Sequence, residues 1–246
     1  LGWIVFAIAS TTYILTSEPT MSFWDCGEYI ATAYKLEVGH PPGAPLFQMI
    51  GRFFTLFAFG DTALVARMIN TMSALASGFT ILFLFWSITM IARRILARNE
   101  EDIDAQTWTI LGAGLVGSLA YTFSDSFWFS AVEGEVYAMS SFFTALVFWA
   151  ILKWDEHADD PHAYRWLILI AYLMGLSIGV HLLNLLAIPA ITFVYYYRKY
   201  PEGVVKGSAI TAIISFLILA VVMYVIIPWI IKLAGIFELF FVNSVG

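Results

Sequence analysis

Uninterrupted apolar runs recur from one end of this chain to the other, and they restrict the fold more than any other feature. They cover residues 1–16, 62–92, 107–124, 136–153, 165–180, 182–198 and 207–231. Several approach the ~20 residues that an α-helix needs to cross a bilayer. They do not alternate apolar with polar, as the strands of a transmembrane β-barrel must. The composition agrees: 61% of the 246 residues are hydrophobic and 12% are charged, against about a quarter charged in soluble domains. A water-soluble core is therefore excluded, and the lipid bilayer is the expected surrounding. The formal net charge of −6 argues against nucleic acid as a partner, since phosphate recognition needs basic surface. A single cysteine, Cys26, cannot form an internal disulfide.

Leu1 already lies inside an apolar segment, and no A-x-A-like cleavage site follows it. The first segment reads as a spanning helix rather than a signal peptide, and a native protein longer at both ends is expected.

Basic residues thread the segments through the membrane. Arg93, Arg94, Arg98, Lys153, Arg165, Arg198, Lys199 and Lys206 all fall on one side, the cytoplasm, if residues 44–59 do not span. Lys35, Arg52, Arg67 and Lys232 remain opposite. The stretch 44–59 follows Pro41, Pro42 and Pro45 and is interrupted by Gln48 and Arg52, so it reads as an interfacial or re-entrant helix. The expected fold is all-α, a polytopic membrane helix bundle of about seven spanning helices within a single module, residues 1–246. Residues 1–16 form the first helix, 17–61 a long outer loop with interfacial helices, 62–231 six further helices, and 232–246 an outer-side tail. The charged runs at 99–102 and 155–160 read as solvated inner connections, with His157 and His162 among them.

This threading, which used only positive charge, brings Asp25, Glu28, His40, Asp125, Glu133, Glu135 and His181 to the outer end of the bundle. Ionisable groups near membrane depth are costly and mark candidate sites. Asp25 and Glu28 are three apart and share a helical face. A carboxylate there can accept the proton of an attacking hydroxyl while its partner orients it. Alternatively, Ser22-x-x-Asp25 fits a capping box that merely opens a helix. Gly39-His40-Pro41-Pro42-Gly43-Ala44-Pro45 is a rigid turn that fixes the direction of His40, either for structure or for binding substrate or phosphate. Asp125, Glu133 and Glu135 could decorate helix N-termini, bind sugar hydroxyls or hold a divalent cation. His181, one helical turn from Asn184, fits helix-packing polar contact as well as ligand contact. Trp24, Tyr29, Tyr34, Trp128 and Tyr137 fit an interfacial aromatic belt; Trp128 and Tyr137 fit a sugar platform equally. No phosphate loop, dinucleotide fingerprint, Ser-His-Asp arrangement or zinc spacing is present.

The succession Trp24-Asp25-Cys26-Gly27-Glu28-Tyr29, His40-Pro41-Pro42-Gly43-Ala44-Pro45-Leu46-Phe47, Phe59-Gly60 and Ala66-Arg67 resembles the opening of GT-C-type membrane glycosyltransferases, in particular the protein O-mannosyltransferase-like group. Glu133-Gly134-Glu135-Val136-Tyr137 adds to the likeness. The resemblance implies a GT-C-like fold and inverting transfer of a sugar, mannose in this group, from a polyprenyl-phosphate carrier to a protein serine or threonine hydroxyl. It implies an active site on the non-cytoplasmic face, the periplasm or the ER lumen, with a bacterial inner membrane the expected location. Asp25 matches the group's catalytic carboxylate. Glu28 departs from the usual adjacent spacing of the second acid, which weakens its carry-over. His40 and Arg67 are candidates for the carrier phosphate; Asp125, Glu133, Glu135, Tyr137 and His181 are candidates for sugar or acceptor. A transporter or flippase of lipid-linked sugars is the rival reading.

Overall fold

A computed structural model describes residues 1–97, 100–202 and 204–244. Every regular element among them is helical. The chain divides into two compact units, Leu1–Asn184 and Leu185–Gly246.

In the first unit, α1 (Gly2–Thr16), α4 (Val65–Leu96), α5 (Glu100–Thr122), α7 (Val136–Glu156) and α8 (Tyr164–Ile178) form the bundle, with α2 (Cys26–Lys35), α3 (Pro45–Thr55) and α6 (Asp125–Ala131) as short helices between them. The long helix α4 is the axis: α1, α5 and α7 pack directly on it, and α8 packs on α7. Lipid offers no hydrophobic incentive for helices to associate, so close approach through small residues must supply it. α4 buries Ser73, Ala74, Ser77 and Gly78 along its length. At Gly78 a Cβ would fall 2.0 Å from Ser10 Oγ of α1, so any larger residue would have to displace Ser10 at this crossing. Gly114 on α5 repeats the device against Phe85 and Thr89.

The ends of α4 and α7 meet through the Arg94–Asp155 ion pair, and Arg94 Nη2 also donates to the Leu152 carbonyl at 3.1 Å. Arg93, Arg94 and Lys153 therefore gather at one end of the bundle. Arg98 and Asn99 lie outside the described residues, as do the side chains of 100–102. The connection after α7 behaves as a solvated turn: His157 Nδ1 lies 2.8 Å from Asp160 Oδ2 and its ring stacks on Trp166. At the opposite end, where α4 and α7 begin, the segment between α1 and α4 folds back over the bundle.

Among the described residues, three helical stretches are long and apolar enough to cross a membrane: Thr62–Leu96, Val136–Glu156 and Val205–Ser244. The expectation of about seven spans exceeds this number. α1 and α8 are apolar but only 15 residues long. The expected segment 182–198 begins with a 3-10 stretch, Leu182–Leu186, before α9 (Ala187–Lys199). Residues 44–59 form α3 and a 3-10 turn, in keeping with a helix too short to span.

In the second unit α9 packs on α10 (Val205–Val221), and Gly207 allows the contact, since a Cβ there would meet the Tyr196 hydroxyl at 1.8 Å. A π-helical turn, Val222–Ile226, joins α10 to α11 (Ile227–Ser244). The expected tail from residue 232 is instead helix as far as Ser244. Pro228, which would collide with the carbonyl four residues back, follows directly on this widened turn, so the helix passes the proline without ending.

Candidate functional site

The site is built on α2, the turn after it and the loop before α7. Asp25 directly precedes the first residue of α2 and its side chain makes no capping hydrogen bond. The capping alternative therefore does not engage this carboxylate, which is largely exposed. One turn along, Glu28 grips His40. Its Oε1 accepts from the His40 backbone N–H at 2.6 Å and its Oε2 lies 3.1 Å from His40 Nδ1. The other imidazole nitrogen, Nε2, lies 3.8 Å from Asp25 Oδ2. The ring thus sits between two carboxylates of the same helical face. His40 reaches this position because the chain reverses tightly, with Gly43 at φ 80° and prolines on either side. Gly39 allows the approach: a Cβ there would stand 3.1 Å from Glu28 Oε1 and 3.3 Å from Gln48 Nε2. The His40 backbone N–H, and then its ring, hold the Glu28 carboxyl below its ordinary range.

Asp25, Glu28 and His40 each turn a ligand atom to a common point, all within 4.8 Å of one another. Two carboxylate oxygens and an imidazole nitrogen are a donor set that could hold a divalent cation. The same groups could equally position a hydroxyl and receive its proton.

Behind this exposed row lies a buried one. Glu133 and Glu135, in the turn between α6 and α7, are 3% and 4% exposed. Burial pushes both carboxyls up; for Glu135 the neighbouring Glu133 charge adds to burial and the value reaches about 7. The backbone N–H groups of Val136 and Asp25 work in the opposite direction on Glu135, and the Ser22 hydroxyl on Glu133. Both acids therefore address the start of α2 rather than open solvent. Tyr29 completes the floor: its ring centroid is 5.8 Å from that of His40 and 5.4 Å from that of Phe47. Burial first, then the Glu135 and Asp25 charges, push its hydroxyl up to about 12.

Tyr137 and His181 pair beside this group, ring centroids 5.5 Å apart. Burial lowers the His181 pKa, and its Nδ1 accepts from the Leu183 N–H at 3.1 Å. The Leu46 N–H to Gly179 carbonyl bond, 2.7 Å, ties the start of α3 to the end of α8 and holds the two turns together. Asn184, expected beside His181, is fully buried and donates to Ser177 Oγ at 2.9 Å.

Two candidates stand apart. Asp125 is exposed in the first turn of α6, where a negative charge suits the helix end. Arg67 is exposed near the start of α4 and makes no ion pair among the described residues. Sequence reasoning passed over Asn70 altogether and read Tyr29 only as a belt residue. The available signal for Asn70 was an amide in the apolar helix just where the ionisable groups gather, a costly placement in a membrane segment.

Fold and site together define a helical integral membrane protein with a cluster of acids and two histidines at one end of its bundle. Comparison with known proteins gives this class a family. The chain belongs to the family of the protein O-mannosyl-transferase TMEM260 N-terminal domain, which matches residues 25–204. It is 27% identical over 186 residues to "Protein O-mannosyl-transferase tmem260" of Dictyostelium discoideum, covering 74% of this chain and 21% of that protein. To "Protein O-mannosyl-transferase TMEM260" of Mus musculus it is 26% identical over 175 residues, covering 71% of this chain and 22% of the relative. The chain thus spans about a fifth of the length of the curated relatives it matches. No solved structure matches it.

Proposed function

We propose that this chain is the membrane-embedded catalytic module of a GT-C-type glycosyltransferase that moves mannose from a polyprenyl-phosphate carrier to a serine or threonine hydroxyl of a protein. The observation that carries the reading is Asp25: an exposed carboxylate at the mouth of the bundle, not consumed by the helix it opens and 3.8 Å from His40 Nε2. The names of the relatives supply the substrate class.

In this mechanism the acceptor oxygen attacks the anomeric carbon from the side opposite the lipid phosphate. A carbon–oxygen bond forms, the bond to the phosphate oxygen breaks, and the anomeric configuration inverts. Asp25 takes the hydroxyl proton as general base. The departing phosphate monoester keeps the bonding electrons and needs little acid assistance. Arg67, exposed and without an acidic partner among the described residues, binds that phosphate, for which its planar guanidinium is suited. Glu28 holds His40 in place through two contacts, and His40 in turn sets the position of Asp25 and the reacting groups. Tyr137 and His181 line the sugar or acceptor side. A divalent cation at Asp25, Glu28 and His40 is the alternative means of holding the phosphate, and chelation distinguishes the two.

In the membrane arrangement we propose, α1, α5, α8 and α9 also cross, giving seven spans. The site opens to the periplasm or ER lumen, opposite the Arg93–Arg94 end, as positive charge on the cytoplasmic side requires.

The test is transfer of radiolabelled sugar from polyprenyl-phosphate donors to acceptor protein. It compares full-length wild type with Asp25→Asn at equal membrane expression. Loss of transfer in a folded variant supports the assignment. Undiminished transfer removes Asp25 from the mechanism, and no transfer from the wild type with any donor overturns the reading.

A further inference from the structure

The segment that carries Asp25 reaches its place with little help from regular structure: residues 17–25, between α1 and α2, include no helix or strand. One side chain of α4 ties it down from the bundle side. Asn70 is fully buried, and its amide donates both protons to this segment, to the Glu18 carbonyl at 2.6 Å and the Thr20 carbonyl at 2.9 Å. A primary amide has two N–H groups, so its donor capacity is spent on these two carbonyls. The other face of the amide abuts the turn before α7: a Cβ at Gly134 would stand 3.0 Å from Asn70 Oδ1 and 3.1 Å from Ile69. That turn holds the same segment from its far side, because the Glu18 N–H donates to the Val132 carbonyl at 3.1 Å.

We propose that Asn70 is the positioning residue for the Asp25 segment, a buckle that docks residues 18–25 between α4 and the Val132–Glu135 turn. The proposal rests on the transferase reading for its effect on turnover, but the docking itself is a structural property with its own readout. Asn70 touches no reacting group; it acts through the backbone that presents Asp25. Leucine at this position has the same number and branching of side-chain heavy atoms and suits an apolar helix, although its methyl groups are bulkier than the amide. It takes away the donors that hold the Glu18 and Thr20 carbonyls, which favours release of the segment.

Cys26 reports on release. It is fully buried, follows Asp25 directly, and its thiol lies against the Ser22 and Gly134 backbone. The experiment treats full-length protein in native membranes with N-ethylmaleimide and follows alkylation of the Cys26 peptide by mass spectrometry, in wild type and Asn70→Leu. Mannosyl transfer is measured in parallel. We expect alkylation to rise at least ~10-fold, because a locally opened segment exposes what it covered. We expect kcat to fall ~100-fold with acceptor KM little changed, as for a reacting group displaced by about 1 Å. A merely structural role in helix packing would leave Cys26 protected. Alkylation at the wild-type rate in folded Asn70→Leu overturns the proposal, whatever the activity. Should that variant fail to fold, Gly134→Ala decides: its Cβ presses on Asn70 Oδ1 from outside, and it should raise alkylation in the same direction. A wild-type rate there refutes the buckle. Raised Cys26 alkylation in a protein that transfers no sugar even as wild type sustains the buckle and removes only the transferase reading.

Discussion

Glu135→Gln isolates the electrostatic cost of the buried row. The native Glu135 carboxyl is raised from 4.5 to about 7, first by burial and then by Glu133. Below pH ~4.5 the carboxyl is protonated in both folded and unfolded chains and pH has no effect through this group. As the pH rises, the unfolded chain releases its proton while the folded chain retains it, so folding is progressively disfavoured. The loss is complete once the pH passes the folded value, near 7. About 2.5 units at 1.36 kcal/mol each come to ~3 kcal/mol. Glutamine has the same shape and no titration, so the variant and the wild type should unfold alike at pH 4. At pH 8 the variant should be the more stable by up to ~3 kcal/mol, roughly 6–12 °C in Tm for a chain of this length. Glu133, whose carboxyl is also raised by burial, leaves a residual slope in the variant. The assay is thermal unfolding in detergent micelles from pH 4 to pH 8 for both proteins. Parallel Tm profiles, with a constant offset, would refute the argument that Glu135 is buried at the expense of its charge.

Two further substitutions probe the front row and the helix packing. Glu28→Gln keeps one acceptor oxygen for the His40 N–H but replaces the oxygen facing Nδ1 with an amide nitrogen. Transfer activity should fall by ~10-fold or more with Tm unchanged, since both side chains are exposed and an exposed pair adds little to stability; full activity would show that the position of His40 is immaterial. Gly78→Val drives a branched side chain into Ser10 and Phe6. It should cost ~1–3 kcal/mol through overpacking, read as a lower Tm in micelles; an unchanged Tm would mean that α1 does not cross α4 at this point.

The spanning character of α4 and α7 is legible because a helix in lipid must be apolar over its whole length, a signal that needs no tertiary information. α1 and α8 are as apolar in kind, yet their ends depend on local turns, at Ser17 and at Gly179-Val180-His181, which hydropathy does not register. The continuation of α11 past Lys232 was hidden for a similar reason. One charged residue looked like a terminus, whereas a lysine stem can lie along apolar surface: its Nζ sits 5.5 Å from the Trp229 ring. At the site, the spacing of Asp25 and Glu28 gave their shared face, and the proline-rich turn gave a fixed His40. That His40 is fixed against Glu28 at 3.1 Å was not legible. The two are twelve residues apart and meet only because α3 packs back on α2. Asn70 was harder still, since its partners are backbone carbonyls and leave no trace in residue identity.

The acids that the sequence assembled as one group divide by solvent into two kinds, and their chemistry follows the division. Asp25 and Glu28 are exposed, within reach of an incoming hydroxyl. Glu133 and Glu135 are enclosed, and enclosure favours the neutral form of each. A neutral carboxyl can donate a hydrogen bond as well as accept one, which suits it to hold backbone in place and unsuits it to act as a base. Had all four been exposed, their mutual repulsion would have opposed gathering them at one bundle end; had all been buried, none would exchange protons with an incoming hydroxyl. The segment between α1 and α2 is therefore the point on which the site depends. It must leave Asp25 exposed while its own backbone covers Glu135, and it can do both only while it stays docked between α4 and the turn before α7.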